Sequence, residues 1–302
     1  MSSVKGNTIG NEHVRVSAYI PLRIERLSFT GKKNVAAHAH TFYEIGITLR
    51  GSAVHRTNGV REVIRPGSVY VIAPGETHDI DSAGRWDVCN IYYLPELFTD
   101  DMRSLFALPR VTGMFFHHFL FNRADPLCFR LPADHQRTVR SLLAVIEHAP
   151  RDIYAESFVK HAFLALMLAL ASAHKQVLPD FEEITADRRL FNSLDAVEKN
   201  CTAASGVIVR AVNSALGFTP AYASAYFHEK TGTTLSDYLL RRKIMRSCPA
   251  LLEGVPVTET AHMFGFFDAS HFIRVFKSVM HTTPHAYCST VKRFRADDIG
   301  GN

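Results

Sequence analysis

Three histidines and one glutamate in the first third of the chain have the types and spacing of a ligand set. His38, His40 and Glu44 lie close together, and His78 follows a Pro-Gly turn further along. On a strand, His38 and His40 point to the same side, and Glu44 shares their parity if no bulge intervenes. Three imidazoles and one carboxylate suit a divalent transition metal. The pattern therefore predicts a polar site held by strands.

Two other interpretations fit these four residues. They could line a pocket that hydrogen-bonds a small effector without a metal, or they could only satisfy one another in a core. The spacing does not decide, because a His-x-His-x3-Glu pattern arises readily by chance. No pattern requires a cofactor, and the divalent metal is the only candidate. Further predicted lining residues are Tyr43, Arg50, His55, Arg56 and Trp86.

A second polar set lies on one side of a predicted helix over 269–279. Phe272 and Phe276 recur at helical spacing and predict its buried face. Arg274 and Lys277 fall on the opposite face, where cations would meet phosphates or base edges of DNA. The predicted DNA-contacting residues of this helix are Ser270, His271, Arg274 and Lys277.

This helix belongs to the second copy of a repeated pattern. Each copy has a Gly-Phe turn followed by a helix-starting residue, Thr219 or Asp268. Duplicated helical units suit a repetitive partner, and the major groove of duplex DNA returns every helical turn. The residues Phe218, Phe227, Thr233, Thr234 and Tyr238 recur 49 positions later as Phe267, Phe276, Thr282, Thr283 and Tyr287.

The first copy has a different outward face. Tyr222, Tyr226 and Phe227 are expected to be buried, and the outward residues are small and mostly uncharged. Such residues favour apolar contacts with thymine methyl groups. The predicted contacts are Pro220, Ala221, Ser224, Ala225 and His228.

A predicted helix over 235–252 joins the two copies and carries Arg241, Arg242, Lys243 and Arg246. We expect these cations to contact phosphates, which position a protein without specifying sequence. Pro249 removes a backbone donor and predicts a kink.

The net charge of the chain is concentrated around the repeat. Residues 1–187 contain 20 basic and 20 acidic residues, whereas residues 188–302 contain 14 basic and 9 acidic residues. A basic segment beside a neutral one favours a polyanionic partner. The five cysteines are widely spaced and form no C-x-x-C pair, as expected of thiols in a reducing cytosol.

We expect a cytoplasmic protein with no membrane partner. The amino terminus lacks the apolar core of a signal peptide. The longest apolar run, residues 162–173, is shorter than the roughly 20 residues that span a bilayer.

The elements that must position these residues form a β-rich part and a helical part. Between Tyr19 and Tyr93, β-type runs alternate with turn pairs, and Asn58-Gly59 predicts a hairpin. Such a series indicates a sandwich or small barrel. Helices follow at 133–148 and 154–174. The second is apolar on nearly every side, so the barrel or a second subunit must cover it.

The predicted fold is an α+β multidomain chain, with a β-barrel and helical dimerisation segment followed by an all-α domain of two helix-turn-helix units. The boundaries are a flexible terminus at 1–18, the barrel at 19–132, the dimerisation helices at 133–174, a linker at 175–187, the helical domain at 188–290 and a polar tail at 291–302.

The amino-terminal pattern resembles the cupin superfamily. The resemblance covers about residues 25–95 and implies a small β-barrel with an internal pocket. It departs from the family at Pro74, one position late, and at Ser82, where the family has Asn. The matching residues are His38, His40, Glu44, Gly51, Gly67, Gly75 and His78.

The carboxyl-terminal module resembles the DNA-binding domain of the AraC/XylS family of transcription regulators. It departs at His281, Cys288 and Ala225, where the family usually has Gly, Arg and a basic residue. The matching residues are Gly265, Phe266, Asp268, Phe272, Phe276, Lys277, Thr283, Pro284 and Tyr287, and in the first copy Tyr222, Phe227, Thr231, Gly232, Leu235, Tyr238, Leu239, Lys243 and Ile244.

This resemblance implies two helix-turn-helix units that read successive major-groove segments. The amino-terminal half fits the same family, and the stretch from His38 to Glu96 is most similar to sugar-use regulators of the rhamnose type. The implied function is a transcription activator that responds to a small-molecule effector, such as a sugar. The implied partners are double-stranded promoter DNA, the effector, RNA polymerase and a second copy in a homodimer.

Two other functions remain open. One is a ligand-independent regulator whose barrel only mediates dimerisation or polymerase contact. The other is a metal-dependent cupin enzyme with a degenerate helical appendage. We expect no catalytic residues and no enzymatic activity.

Overall fold

The chain forms two compact units in a computed structural model. The model describes residues 8–9, 13–14, 21–98, 101–105, 108–116, 118, 127–150, 154–174, 188–231, 233–280 and 282–289. The first unit comprises residues 1–97 and 124–176, and the second comprises 98–123 and 177–302. The linker 175–187, the tail 291–302, Gly232, His281 and most of the terminus 1–18 lie outside the described residues.

The first unit contains two five-stranded sheets. Their strand orders are β1-β3-β8-β5-β6 and β10-β7-β4-β9-β2. Among the described residues, the strand pairings are antiparallel except that of β1 with β3. The strands are β1 (Thr8–Ile9), β2 (Leu22–Phe29), β3 (Lys33–His40), β4 (Tyr43–Gly51), β5 (Ala53–Thr57), β6 (Val60–Ile64), β7 (Ser68–Ile72), β8 (His78–Ser82), β9 (Trp86–Tyr93) and β10 (Leu127–Arg130).

The central strands β4, β7 and β9 are buried on both faces. Alternate residues along a strand point to opposite faces. Tyr70, Trp86 and Val88 therefore join an apolar cluster in the interior, together with Ile80 from the other sheet. This two-sided burial explains why these strands are nearly continuous apolar runs rather than alternating ones.

The predicted Asn58-Gly59 hairpin is confirmed. Thr57 pairs with Val60, and both turn residues have positive φ, 49° and 85°. Two-residue turns of this kind match the twist of the flanking strands.

Two helices of the first unit, α3 (Ala133–Glu147) and α4 (Ala155–Ala173), pack against each other. The phenol rings of Tyr43 and Tyr93 stack with centroids 5.1 Å apart, and Tyr93 meets Phe163 of α4 edge-on. The outer face of the sheet thus rests on α4. By length and composition alone α4 could cross a membrane, but Phe163, Leu166 and other residues of it are buried in the protein.

In the second unit one long helix, Leu235–Leu252, continues through Pro249 and contacts the helices Pro220–Thr231, Val257–Met263 and Ala269–Met280. The described helices of this unit are α1 (Met102–Leu105), α2 (Pro109–Phe115), α5 (Arg188–Asn200), α6 (Ser205–Leu216), α7 (Pro220–Thr231), α8 (Leu235–Leu252), α9 (Val257–Met263) and α10 (Ala269–Met280).

Two helix-turn-helix units occupy this second unit of the fold. In the first, α6 ends at Gly217, whose φ of 70° is left-handed, and α7 follows. In the second, Gly265 has a φ of 66° between α9 and α10. Glycine adopts this conformation without the steric penalty that a side chain brings. The two predicted Gly-Phe turns are confirmed.

Candidate DNA interface and buried histidine cluster

Three of the four predicted ligand residues meet in the interior of the first unit. His40, Glu44 and His78 are each at most 3% exposed, and one candidate ligand atom from each lies within 4.8 Å of the others. The Glu44 Oε2 atom is 3.4 Å from His40 Nε2 and 3.8 Å from His78 Nε2. The three side chains therefore converge on one point.

Strand ends and one turn hold this cluster together. His40 ends β3, Glu44 lies near the start of β4, and His78 begins β8. The amide of Gly75, in the turn before β8, donates to the His40 carbonyl at 2.8 Å. The buried Glu76 carboxylate stabilises the same turn by accepting from the Ala73 amide at 2.6 Å. The Pro-Gly turn thus ties the end of β3 to the start of β8.

The cluster combines an ionised carboxylate with a neutral imidazole. Burial alone would raise the pKa of Glu44, but the adjacent His40 imidazole, with Nε2 3.4 Å from Oε2, and the field of His78 and His38 lower this pKa to about 2. Burial lowers the pKa of His78 to about 3, against the opposing effect of Glu44. At neutral pH, Glu44 is therefore a carboxylate and His78 is uncharged.

A chain of polar contacts lies beside the cluster. Tyr70 donates to the Asn90 side-chain oxygen at 3.3 Å, and the Asn90 amide donates to the Tyr92 hydroxyl at 3.0 Å. Tyr92 is the cross-strand partner of Glu44. The Tyr70 ring packs on the backbone of Gly46, where an added Cβ would lie 1.8 Å from the ring. Aromatic side chains therefore fill much of the interior beside the histidines.

His38, a predicted ligand, lies outside the three-residue cluster, whereas His55, a predicted lining residue, lies beside it. His38 is half-buried and its Nδ1 donates to the Ala36 carbonyl at 3.0 Å, although its ring centroid is 4.3 Å from that of His78. Glu44 lies on the next strand, β4, and β3 has a register shift just before His38, so one continuous strand parity does not relate His38, His40 and Glu44. His55 is buried and its Nε2 lies 3.2 Å from His78 Nδ1.

Four other predicted lining residues lie away from the histidines. The prediction for Tyr43 is wrong, because its ring faces α4 through Tyr93. Arg50 is exposed, and Arg56 forms ion pairs with Asp79 and Asp81 on the outer face. Trp86 does face the interior, but within the apolar cluster, where it stacks on Phe29.

The α10 helix presents the outward face predicted from sequence. Ser270, Arg274 and Lys277 are exposed and His271 is half-buried, whereas Phe272 and Phe276 are buried. The Asp268 carboxylate caps the helix by accepting from the His271 amide at 2.7 Å. Sequence reasoning missed Ile273, which is 39% exposed on this face. Its position, between 270 and 277 at helical spacing, could have identified it.

The α7 helix presents a neutral face. Its predicted contact residues Pro220, Ala221, Ser224, Ala225 and His228 are all exposed. The prediction that Tyr222 is buried is wrong, because it is 56% exposed and packs edge-on against Phe218 at 4.6 Å. Ala223 takes the buried position instead. This face therefore adds an exposed phenol to the small residues.

The cationic side chains of α8 bond mainly to other groups of the protein. Arg242 is fully buried and bonds Glu198 of α5 through two nitrogens, with Nη2 2.6 Å from Oε2. The prediction that it contacts a phosphate is therefore wrong. The Lys243 ammonium, also buried, donates to the Ala203 carbonyl at 2.8 Å and to the Gly265 carbonyl at 3.4 Å. Arg246 donates to the Cys201 sulfur at 3.3 Å, and Arg241 is half-buried.

These contacts link the two helix-turn-helix units. Ala203 lies just before α6 of the first helix-turn-helix unit, and Gly265 is the turn glycine of the second helix-turn-helix unit. One ammonium group therefore bonds a backbone carbonyl from each unit. Arg242 and Lys243 are therefore structural residues: Arg242 joins α8 to α5, and Lys243 joins the two helix-turn-helix units.

Protein-family models match the two halves of this architecture. A model described as an AraC-like ligand binding domain matches residues 24–163, and a helix-turn-helix domain model matches residues 213–290. The transcriptional activator RhaS of Yersinia pestis is 26% identical over 253 residues, which cover 82% of this chain and 86% of that protein. RhaS of Yersinia pseudotuberculosis matches to the same extent.

Among solved structures, ToxT from Vibrio cholerae with a bound unsaturated fatty acid is 16% identical, with a TM-score of 0.44, over 89% of this chain and 95% of that one. The paired domain matches, together with the two helix-turn-helix units described above, identify the family: the chain belongs to the AraC/XylS family of DNA-binding transcription regulators.

Proposed function

We propose that this regulator activates transcription when a small molecule binds in its first unit and changes how α7 and α10 engage promoter DNA. The observation that carries the proposal is the exposed, basic face of α10, capped by Asp268 and supported by buried Phe272 and Phe276. A ligand changes DNA binding only if it binds the two states of the protein with different affinity.

The two helices have different proposed roles at the DNA. Arg274 has the geometry for a bidentate contact with guanine, and Ile273 beside it suits a thymine methyl group. Lys277, as a flexible point charge, suits a phosphate. On α7, Ala221, Ala225 and Tyr222 offer apolar contact surface. We infer that α10 supplies most of the affinity and that α7 adds selectivity for A·T-rich sequence.

Fluorescence anisotropy with the DNA upstream of the protein's own gene tests the DNA-binding part of this proposal. Arg274→Ala is expected to weaken binding to this DNA much more than binding to a scrambled duplex. Lys199→Ala is the matched control, because Lys199 is a cation of the same unit that is paired with Asp195. Equal binding to both duplexes by the native chain would contradict the proposal.

The effector is proposed to be a polar small molecule such as a sugar or sugar acid. The histidines, Asn90, Tyr92 and the Glu44 carboxylate supply donors and acceptors for such a ligand. Thermal unfolding with sugars, sugar acids and aromatic acids tests the idea, since a ligand that binds the folded state raises Tm. A regulator whose first unit binds no ligand and only dimerises would show no shift with any compound.

We further propose that the protein forms a homodimer through α4. Tyr154, Phe158 and Leu168 are 67%, 40% and 40% exposed, and with His161 and Ala165 they follow the alternating spacing of four and three residues used by paired helices. Light scattering of the native chain and of Phe158→Glu tests this. A native monomer at micromolar concentration would contradict it.

Recruitment of RNA polymerase and action in the cytoplasm complete the proposal. Both follow from a DNA-bound activator, and a reporter fused to the upstream promoter tests activation. Expression should rise with the effector in the native strain and stay low in a strain with Arg274→Ala.

A further inference from the structure

Two nitrogen atoms in the interior of the first unit are buried and have no hydrogen-bond partner among the described residues. They are His40 Nε2 and His78 Nε2. Both face the same carboxylate oxygen, Glu44 Oε2, at 3.4 and 3.8 Å. Buried polar atoms are nearly always paired, and a buried carboxylate needs a compensating positive charge. The three atoms therefore surround a place for a cation.

The hydrogen bonding of His40 favours a metal ligand. Its Nδ1 donates to the Phe42 carbonyl at 2.7 Å, and its ring stacks on the Phe42 ring with centroids 4.4 Å apart. A neutral imidazole that donates from Nδ1 carries its lone pair on Nε2. That lone pair faces the Glu44 oxygen, so two acceptors oppose each other unless a cation lies between them.

His55 can orient His78 in the same way. The two rings are nearly perpendicular, with His55 Nε2 3.2 Å from His78 Nδ1. If His78 Nδ1 donates to His55, the lone pair of His78 lies on Nε2, which is the atom that faces Glu44. Partners of this kind fix the tautomer and orientation of metal-binding histidines.

We propose that His40 Nε2, His78 Nε2 and a Glu44 carboxylate oxygen bind one divalent transition-metal ion, and that His55 is a positioning residue for His78. When each ligand lies about 2.1 Å from a tetrahedral ion, ligand atoms are about 3.4 Å apart. The observed 3.4 and 3.8 Å spacings need only small side-chain shifts.

The ligand chemistry selects the class of ion. Two imidazole nitrogens with one carboxylate oxygen suit Zn²⁺, Ni²⁺ or Fe²⁺, whereas Ca²⁺ and Mg²⁺ prefer oxygen ligands. Three protein ligands leave a coordination position for water or for an oxygen of a small molecule. His38 is not a ligand in this arrangement, because only His40, Glu44 and His78 offer ligand atoms that converge within 4.8 Å of one another.

Calorimetric titration of the tag-free, chelator-treated full chain with Zn²⁺ tests the proposal. We expect one ion per chain in the native protein and binding weakened by roughly a hundredfold or more in Glu44→Gln. His55→Leu should weaken binding by about 10–100-fold, as expected of an outer partner. Co²⁺ loading should give visible d–d absorption bands in the native protein that are absent from Glu44→Gln.

Two controls make the result specific to this site. His148→Ala, which removes an exposed histidine at the end of α3 bonded to the Ala144 carbonyl, should leave affinity and stoichiometry unchanged. His38→Ala should also keep the stoichiometry at one. Thermal unfolding without metal checks that Glu44→Gln folds, which we expect because this substitution removes a buried charge and keeps the side-chain volume.

Several outcomes would overturn the proposal. They are fewer than about 0.2 equivalents of Zn²⁺ bound by the native chain, undiminished binding by Glu44→Gln, or loss of binding in His148→Ala. The first outcome would indicate that a proton, shared by His40 and Glu44, occupies the place assigned to the ion. Because the measurement is metal binding alone, its failure leaves the DNA-binding assignment intact.

Discussion

The two helix-turn-helix units are built alike but present different chemistry. In each unit an aromatic pair closes the core, with Phe227 meeting Tyr238 and Phe276 meeting Tyr287, both at 5.6 Å between centroids. On the outside, α10 exposes Arg274 and Lys277, whereas α7 exposes alanines and a serine. The repeated residues therefore build the fold, and the residues that differ determine what each unit contacts.

One repeated residue shows that identity of sequence does not guarantee identity of environment. Phe218 is half-buried against Tyr222 and Tyr226. Its counterpart in the 49-residue register, Phe267, is 89% exposed, whereas Phe266, which follows the turn glycine as Phe218 does, is buried. The aromatic neighbours of Phe218 have no counterparts around Phe267, since positions 271 and 275 are His and Val. A repeat found by identity therefore marks related scaffolds, while each surface must be examined separately.

The largest expected effect comes from breaking the Arg242–Glu198 contact between α5 and α8. Arg242→Met leaves the buried Glu198 carboxylate without a partner and should lower the free energy of unfolding by about 3–5 kcal/mol. Trp86, the only tryptophan, lies in the first unit. The midpoint denaturant concentration of the Trp86 fluorescence transition should stay unchanged. The midpoint of the circular dichroism transition of the helices should move to a lower denaturant concentration.

The double variant Glu198→Leu/Arg242→Met is the control for this prediction. It removes both charges, so it should recover most of the lost stability. A single variant as stable as the native chain would show that Arg242 is not held as described.

A smaller effect is expected on DNA binding, and it should differ between the outward faces of α10 and α7. Arg274→Ala on α10 should weaken DNA binding by about 1–3 kcal/mol, because it removes a charged, bidentate contact. Ser224→Ala on α7 should change binding by less than about 0.5 kcal/mol. Anisotropy titrations at one fixed salt concentration give both values. Similar losses for the two variants would mean that the units contribute equally.

Removing the helix cap of α10, in the second helix-turn-helix unit, should lower stability by a similar amount. Asp268→Ala removes the acceptor of the His271 amide and should destabilise the protein by about 1 kcal/mol. Asp268→Asn retains a capping oxygen and should lose much less. Denaturant titrations of the two variants check this, and equal losses would assign the effect to charge rather than to the cap.

The smallest expected effect is a gain of DNA affinity at the first helix-turn-helix unit. Ala225→Arg places a cation on the exposed face of α7. If it contacts a phosphate, the slope of log affinity against log salt concentration should steepen by about 0.9. An unchanged slope would indicate that α7 lies away from the DNA backbone.

Much of the fold could be predicted because local signals agreed with tertiary packing. The hairpin at Asn58-Gly59, the turns at Gly217 and Gly265, and the 235–252 helix match the structure. In these places backbone geometry restricts the residue type, so the sequence carries the information locally. The convergence of His40, Glu44 and His78 was predictable in part, since strand ends brought them together.

The predictions that are wrong concern side chains whose position depends on partners distant in the sequence. Arg242 was assigned to phosphates because it is a cation, although it shares the buried face of α8 with Tyr238 and Met245 at helical spacing. Helical periodicity by itself therefore predicts that Arg242 is buried. No local pattern announces Glu198, 44 residues away, as its partner. The register shift in β3 and the approach of His55 likewise depend on strand pairing.

The close packing of Tyr70 on Gly46 restricts how this protein can change. A side chain at position 46 would overlap the phenol ring, which itself donates to Asn90 near the histidines. Evolution can therefore enlarge position 46 only together with a smaller residue at position 70. Such a paired exchange would open space beside the histidine cluster.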